Sequence, residues 1–182
     1  MTDQSVAPST KYDGIAKTLH WVVALLMLIM LTFGWTLEDM PLEEKVQTLV
    51  VHSSLGLSVF ILMFIRLYWR RSHTPPALPD NMPRWQVTAS KFSHHGLYFF
   101  TILQPIFGVG QSMFADYTVT PFGAFSVNVG PNEGLYQIFH VLHGLNGLIL
   151  VALVLLHLAA ALYHHFVQKD TVLKRMLPYG GG

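Results

Sequence analysis

The chain has 182 residues, 52% of them hydrophobic and only 12% charged, with a mean hydropathy of +0.42. A net charge of +1 excludes the basic footprint of a nucleic-acid binder. The lack of cysteine excludes disulfide frameworks, thiolate metal sites, cysteine-held iron–sulfur clusters and covalently attached c-type haem.

This apolar balance is that of a membrane protein, and the length suits a single domain over residues 1–182. Four apolar stretches follow in order, at about 15–37, 48–69, 92–114 and 136–167, and each reaches the roughly 20 residues that a helix needs to cross a bilayer. The fold class expected is therefore all-α, a four-helix transmembrane bundle. The first stretch runs into Gly34-Trp35-Thr36-Leu37-Glu38 without a small-residue cleavage site, so it reads as a retained helix and not a signal peptide. Pro75, Pro76, Pro79 and Pro83 make the second connection a non-helical linker. The third connection, Ala115–Leu135, holds Pro121, Gly123, Gly130, Pro131 and Gly134 and is expected to lie over one end of the bundle as a cap.

Charge orients the bundle. Lys11, Lys17, Arg66, Arg70, Arg71, Arg84, Lys91, Lys169, Lys174 and Arg175 fall on one side, 10 of the 11 basic residues. The other side holds Lys45 with six acids, Glu38, Asp39, Glu43, Glu44, Asp116 and Glu133. The positive-inside rule then places both termini in the cytoplasm, in a bacterial inner membrane.

Ten histidines are unusual in so apolar a chain, because an ionisable side chain inside a membrane is costly and marks function. In the fourth stretch His143 and His157 lie 14 residues apart. At about 100° and 1.5 Å per residue they share one helix face, about 21 Å apart along the axis. His140 points roughly 100° away from that face. The first helix brings His20 to the depth of His157, and the second, running the other way, brings His52 to the depth of His143. Two bis-histidine sites stacked across the membrane suit low-spin electron-transfer haems with both axial positions filled. The bland alternative for any one of these residues is a hydrogen bond between helices. Gly34, Gly56, Gly144 and Gly147 make room for a flat group, or equally for close helix packing.

The ordered set Leu19-His20-Trp21, Val51-His52-Ser53-x-x-Gly56, Arg66, His94-x-x-x-Tyr98 with Pro105-x-x-Gly108, and His143 covers three helices and the start of the fourth. It continues with Leu156-His157, Ala159-Ala160-Ala161, His164-His165-Phe166, Lys169-Asp170 and Leu173-x-Arg175-Met176. In these residues nearly the whole chain resembles the bacterial cytochrome b561 family, related to the cytochrome b subunits of nickel–iron hydrogenases and formate dehydrogenases. The resemblance implies two haem b groups as cofactors, one held by His20 and His157 on the cytoplasmic side and one by His52 and His143 on the periplasmic side. It implies an oxidoreductase that passes electrons to exchangeable ubiquinone, in a branch that includes superoxide:ubiquinone oxidoreductases. The six outer acids disfavour capture of the superoxide anion, so a basic periplasmic electron-transfer protein is the other donor expected. A membrane anchor and electron-relay subunit for a hydrogenase or dehydrogenase is the alternative function. A histidine-lined metal transporter ranks last, since the spans lack the carboxylates of a cation path.

The quinone end is read from His164, seven residues past His157, near its face and about 10 Å closer to the cytoplasm. Quinone reduction consumes protons, and histidine delivers them near neutral pH. Lys17 and Lys91 are its companions, and the bland reading is an interfacial histidine. Arg66, 14 residues after His52, is positioned to neutralise a propionate of the inner haem, or serves as a simple cytoplasmic anchor. His94 and His95 are left as neighbours of the inner haem or members of a proton path.

Overall fold

The computed structural model describes residues 11–79 and 82–178; the expected domain extends beyond these at both ends, outside the described residues. Helix α1, Gly14–Phe33, starts at Asp13, whose side chain accepts a hydrogen bond from the Ala16 amide at 2.8 Å, and it tightens into a 3₁₀ turn over Gly34–Leu37. Helix α2, Leu42–Ser72, carries Glu43 and Glu44 in its first turn and Arg70 and Arg71 in its last, the charges its dipole favours. Helix α3 is Arg84–Met113 and helix α4 is Glu133–Tyr163, the latter capped by Asn132 on the Leu135 amide at 3.0 Å. A π-helical turn, His164–Gln168, follows α4 and ends at Lys169 in the left-handed region, φ 54°.

The helices α2 and α3 begin earlier than the apolar stretches at 48 and 92. Hydropathy locates the part of a helix that lipid covers, whereas polar first turns extend it into water. Three helical segments, Gly14–Leu37, Leu42–Ser72 and Glu133–Gln168, are long and apolar enough to cross a membrane. The 30-residue α3 has the length but a more polar composition. Its polar groups turn toward neighbours: Thr101 is buried, and Gln104 and Gln111 bond to α4. The outer faces are apolar and open, with Leu25, Leu28 and Leu155 59–61% exposed, a surface suited to lipid. No strand occurs among the described residues.

Close packing joins α1 to α2, α2 to α3 and α3 to α4, around a core of Val23, Val59 and Met63 with Leu26, Met27, Leu62, Tyr98 and Ile102. Helix α4 has no such close packing against α1 or α2. It faces them across a gap.

The α3–α4 connection folds over the end of α2, as a cap. A 3₁₀ turn, Pro121–Gly123, packs on α2, and the Phe122 amide donates to Ser54 Oγ at 2.7 Å. Asn128 pins the connection by donating to the carbonyls of Ala115 and Tyr117 at 2.9 and 3.0 Å. At the opposite end the segment after α4 returns to the bundle. Trp21 donates to the Met176 carbonyl at 2.9 Å, and Arg175 to the Ala77 carbonyl. The α2–α3 linker, the start of α1 and the tail therefore meet at one end.

Candidate functional site

The gap beside α4 is bridged by histidines. His20 of α1 and His157 of α4 have ring centres 6.2 Å apart; His52 of α2 and His143 of α4 have theirs 6.1 Å apart. An imidazole nitrogen lies about 2 Å from a first-row metal, so two rings on opposite sides of one ion have centres about 6 Å apart. Both pairs meet that spacing. A cavity of about 580 Å³ surrounds the second pair, lined by His52 and His143 with Gly34, Gly56, Gly108, Gly144 and Gly147. A Cβ at Gly144 would meet nothing within 4 Å, whereas one at Gly108 would come within 3.2 Å of the His143 ring. The walls are mainly aliphatic, including Met30, Leu57, Val59 and Leu150. Two imidazoles in an apolar cleft, with backbone kept slim by glycine, match the demands of a flat, bis-ligated haem.

Hydrogen bonds orient His143. Its Nδ1 lies 3.1 Å from the Gln104 carbonyl, which only accepts, so Nδ1 carries the proton of the neutral ring and Nε2 offers its lone pair to the cavity. Gln104 Nε2 donates to the His143 carbonyl at 3.1 Å, and buried Asn146 donates to Gln104 Oε1 at 2.5 Å and to the Phe100 carbonyl at 2.9 Å. These two amides, which support a candidate ligand, were not singled out from the sequence. The signal was present, since uncharged amides deep in apolar stretches need partners.

His140 also lines this cavity, but its ring nitrogens are turned to other partners. Gln111 Nε2 lies 3.2 Å from its Nδ1, Glu38 lies 3.5 Å from its Nε2, and Tyr136 stacks on its ring. Tyr117 stands 3.5 Å from the Tyr136 hydroxyl, and its pKa is raised above the ordinary 10, by burial first and then by that hydroxyl.

At the other pair, Arg66 Nη2 lies 3.0 Å from His20 Nδ1 and its guanidinium covers the Tyr98 ring at 5.4 Å. His94 also approaches His157, with ring centres 5.5 Å apart, while His95 bonds to the Lys91 carbonyl at 2.6 Å. Past the end of α4, His164 Nδ1 meets Asp170 Oδ2 at 2.5 Å, and Asp170 Oδ1 accepts from the Val172 amide at 2.9 Å. Among the described residues neither Lys17 nor Lys91 bonds to His164. Asp170, present in the Lys169-Asp170 motif but given no role there, is a third such residue, a partner of His164 only six positions away.

The chain matches the family model described as prokaryotic cytochrome b561 over residues 11–179. It belongs to that family. Its relatives include cytochrome b561 homolog 1 of Escherichia coli (strain K12), 31% identical over 88% of this chain and 93% of that one. The probable superoxide oxidase CybB of Yersinia pestis is 29% identical over 92% and 96%, and cytochrome b562 of Cereibacter sphaeroides is 31% identical over 91% and 94%. Membership makes this a membrane-integral cytochrome of electron transfer in a family that binds haem b.

Proposed function

We propose that this chain holds two b haems, one between His20 and His157 and one between His52 and His143, and carries electrons across a bacterial inner membrane to the quinone pool. The observation behind this reading is one histidine pair repeated, at 6.2 and 6.1 Å, at two depths about 21 Å apart on α4. When bound, haem b supplies a one-electron couple at each depth. The protein's own groups do the rest. His20 with His157 and His52 with His143 would hold the two groups, and such paired imidazoles would suit them to electron transfer. The Gln104 carbonyl fixes the His143 ring, and aliphatic walls keep water from the pair.

Both termini are cytoplasmic in this reading, supported by the basic residues gathered on their side. Ubiquinone is reduced at that face and takes up protons there. His164, aligned by Asp170, delivers them, with Lys17 and Lys91 as weaker companions on the basic side, and Arg66 neutralises a haem propionate. The donor at the far face is superoxide, as the likeness to a probable superoxide oxidase supports, or a basic periplasmic protein, as the acidic loops support.

A pyridine haemochrome assay on the purified membrane protein is expected to give two b haems per chain; one or none rejects the reading. Reduction of those haems by superoxide, followed by reoxidation with a soluble ubiquinone analogue, tests donor and acceptor separately.

A further inference from the structure

A second cavity, of about 450 Å³, opens between the start of α1, the end of α2, the linker after it, and Tyr98 of α3; neither His20 nor His157 lines it, but Arg66, which touches His20, does. Its walls carry the cations Lys11, Arg66 and Arg70 against a single carboxylate, Asp13. That carboxylate is already engaged: Oδ1 accepts from the Ala16 amide, and the Trp69 indole N–H lies 3.1 and 3.0 Å from its two oxygens. Among the described residues the ion pairs are His140–Glu38 and His164–Asp170, so neither arginine has a carboxylate partner. A half-buried guanidinium without an anion is costly, and the cavity it lines is where an anion fits.

The contact between Arg66 and His20 sharpens the point. A guanidinium only donates, so in this contact His20 accepts at Nδ1. A neutral imidazole that gives Nε2 to iron keeps its proton on Nδ1, and there it would meet Arg66 donor to donor. Ligation through Nδ1 displaces the guanidinium outright. Either way, Arg66 needs a different acceptor once His20 binds iron.

We propose that this cavity receives the two propionates of the haem between His20 and His157: Arg66 leaves His20 and, together with Arg70, binds the propionate carboxylates, with Lys11 adding positive charge. The inference rests on the two-haem reading and assigns Arg70, Lys11 and the release of His20 beyond it. At the opposite end, the cavity around His52 and His143 is lined by Lys45 with Glu38 and has no arginine, so the arrangement belongs to one haem alone.

The test uses the full chain carrying His143→Ala, so that only the haem of this site binds, titrated with haem b and with its dimethyl ester, whose propionates are uncharged. Arg66→Gln with Arg70→Gln is expected to weaken haem b binding by about tenfold or more and to shift its midpoint potential, while the ester binds both proteins alike. Equal loss for the two haem forms, or loss for neither, overturns the proposal. So does a variant that binds haem b normally but loses co-purified phospholipid phosphate, which would make the cavity a lipid headgroup site. Failure of the underlying reading looks different: the His143→Ala protein with both arginines intact would bind neither haem form.

Discussion

His143 and Gln104 hold each other twice, the ring Nδ1–H on the Gln104 carbonyl and the Gln104 amide on the His143 carbonyl, each at 3.1 Å. The side-chain half of this exchange also carries Asn146. Gln104→Leu keeps the carbonyl that orients the ring but removes two buried hydrogen bonds, one from Asn146, which keeps the Phe100 carbonyl, and one to the His143 carbonyl. It is expected to destabilise the protein by about 1–3 kcal/mol in detergent unfolding. Adding Asn146→Leu should cost much less in that background than alone, since the two side chains share one network. Fully additive losses would show that the network does not couple them.

His143→Ala is expected to remove one haem of two, and His140→Ala neither. His140 lines the same cavity as His52 and His143, but its two ring nitrogens are engaged by Gln111 and Glu38, and it is His143 whose ring stands 6.1 Å from that of His52. Haemochrome content of the two variants decides this, and equal loss from both would sink the assignment of the helix face.

His164→Ala is expected to keep both haems yet slow their reoxidation by a soluble ubiquinone analogue, leaving reduction from the other face nearly unchanged. Asp170→Asn should slow the same step to a smaller degree, because Asp170 orients the ring without contacting quinone. General misfolding would depress both half-reactions. Reoxidation of His164→Ala at the parental rate would leave His164 as an interfacial residue.

The glycines of α3 and α4 are expected to differ in kind. A Cβ at Gly110 would overlap the Phe139 ring, so Gly110→Ala should cost about 1–3 kcal/mol, partly recovered by Phe139→Leu. A Cβ at Gly144 meets nothing, so Gly144→Ala should leave folding intact while weakening haem binding at His52 and His143, whose cavity it narrows. Thermal unfolding and haem titration separate the two effects.

Tyr117 gives the cap a pH dependence. Its raised folded pKa means that its contribution to stability is full below the ordinary value of 10 and is lost as pH rises through the folded value. Between about pH 9 and about pH 11 the unfolding temperature should therefore fall less steeply in Tyr117→Phe than in the parent protein. Parallel falls would mean that the hydroxyl is not held as described.

Much of this was legible in one dimension. Apolar stretches marked all four helices, although only three helical segments are long and apolar enough to cross a membrane and α3 has the length with a more polar composition. Helix rise brought His20 level with His157 and His52 level with His143, because depth along a straight helix depends only on counting residues. The same counting set His140 off the face of His143 and His157, yet the structure brings it to the wall of the same cavity, with Gln111 and Glu38 on its ring nitrogens.

Counting does not set how one helix is rotated or shifted against another, and everything that depends on those freedoms came from the tertiary structure. It decided that α4 packs on α3 and stands apart from α1 and α2, leaving the gap that the histidines bridge. It paired Gln104 with His143 and Asn146, and Glu38 with His140, residues from different elements whose side chains meet only when the bundle closes. It also set Arg66 against His20, a contact that no spacing within α2 could have shown. A residue's depth and face belong to its own helix, whereas its partner is chosen by the packing of several.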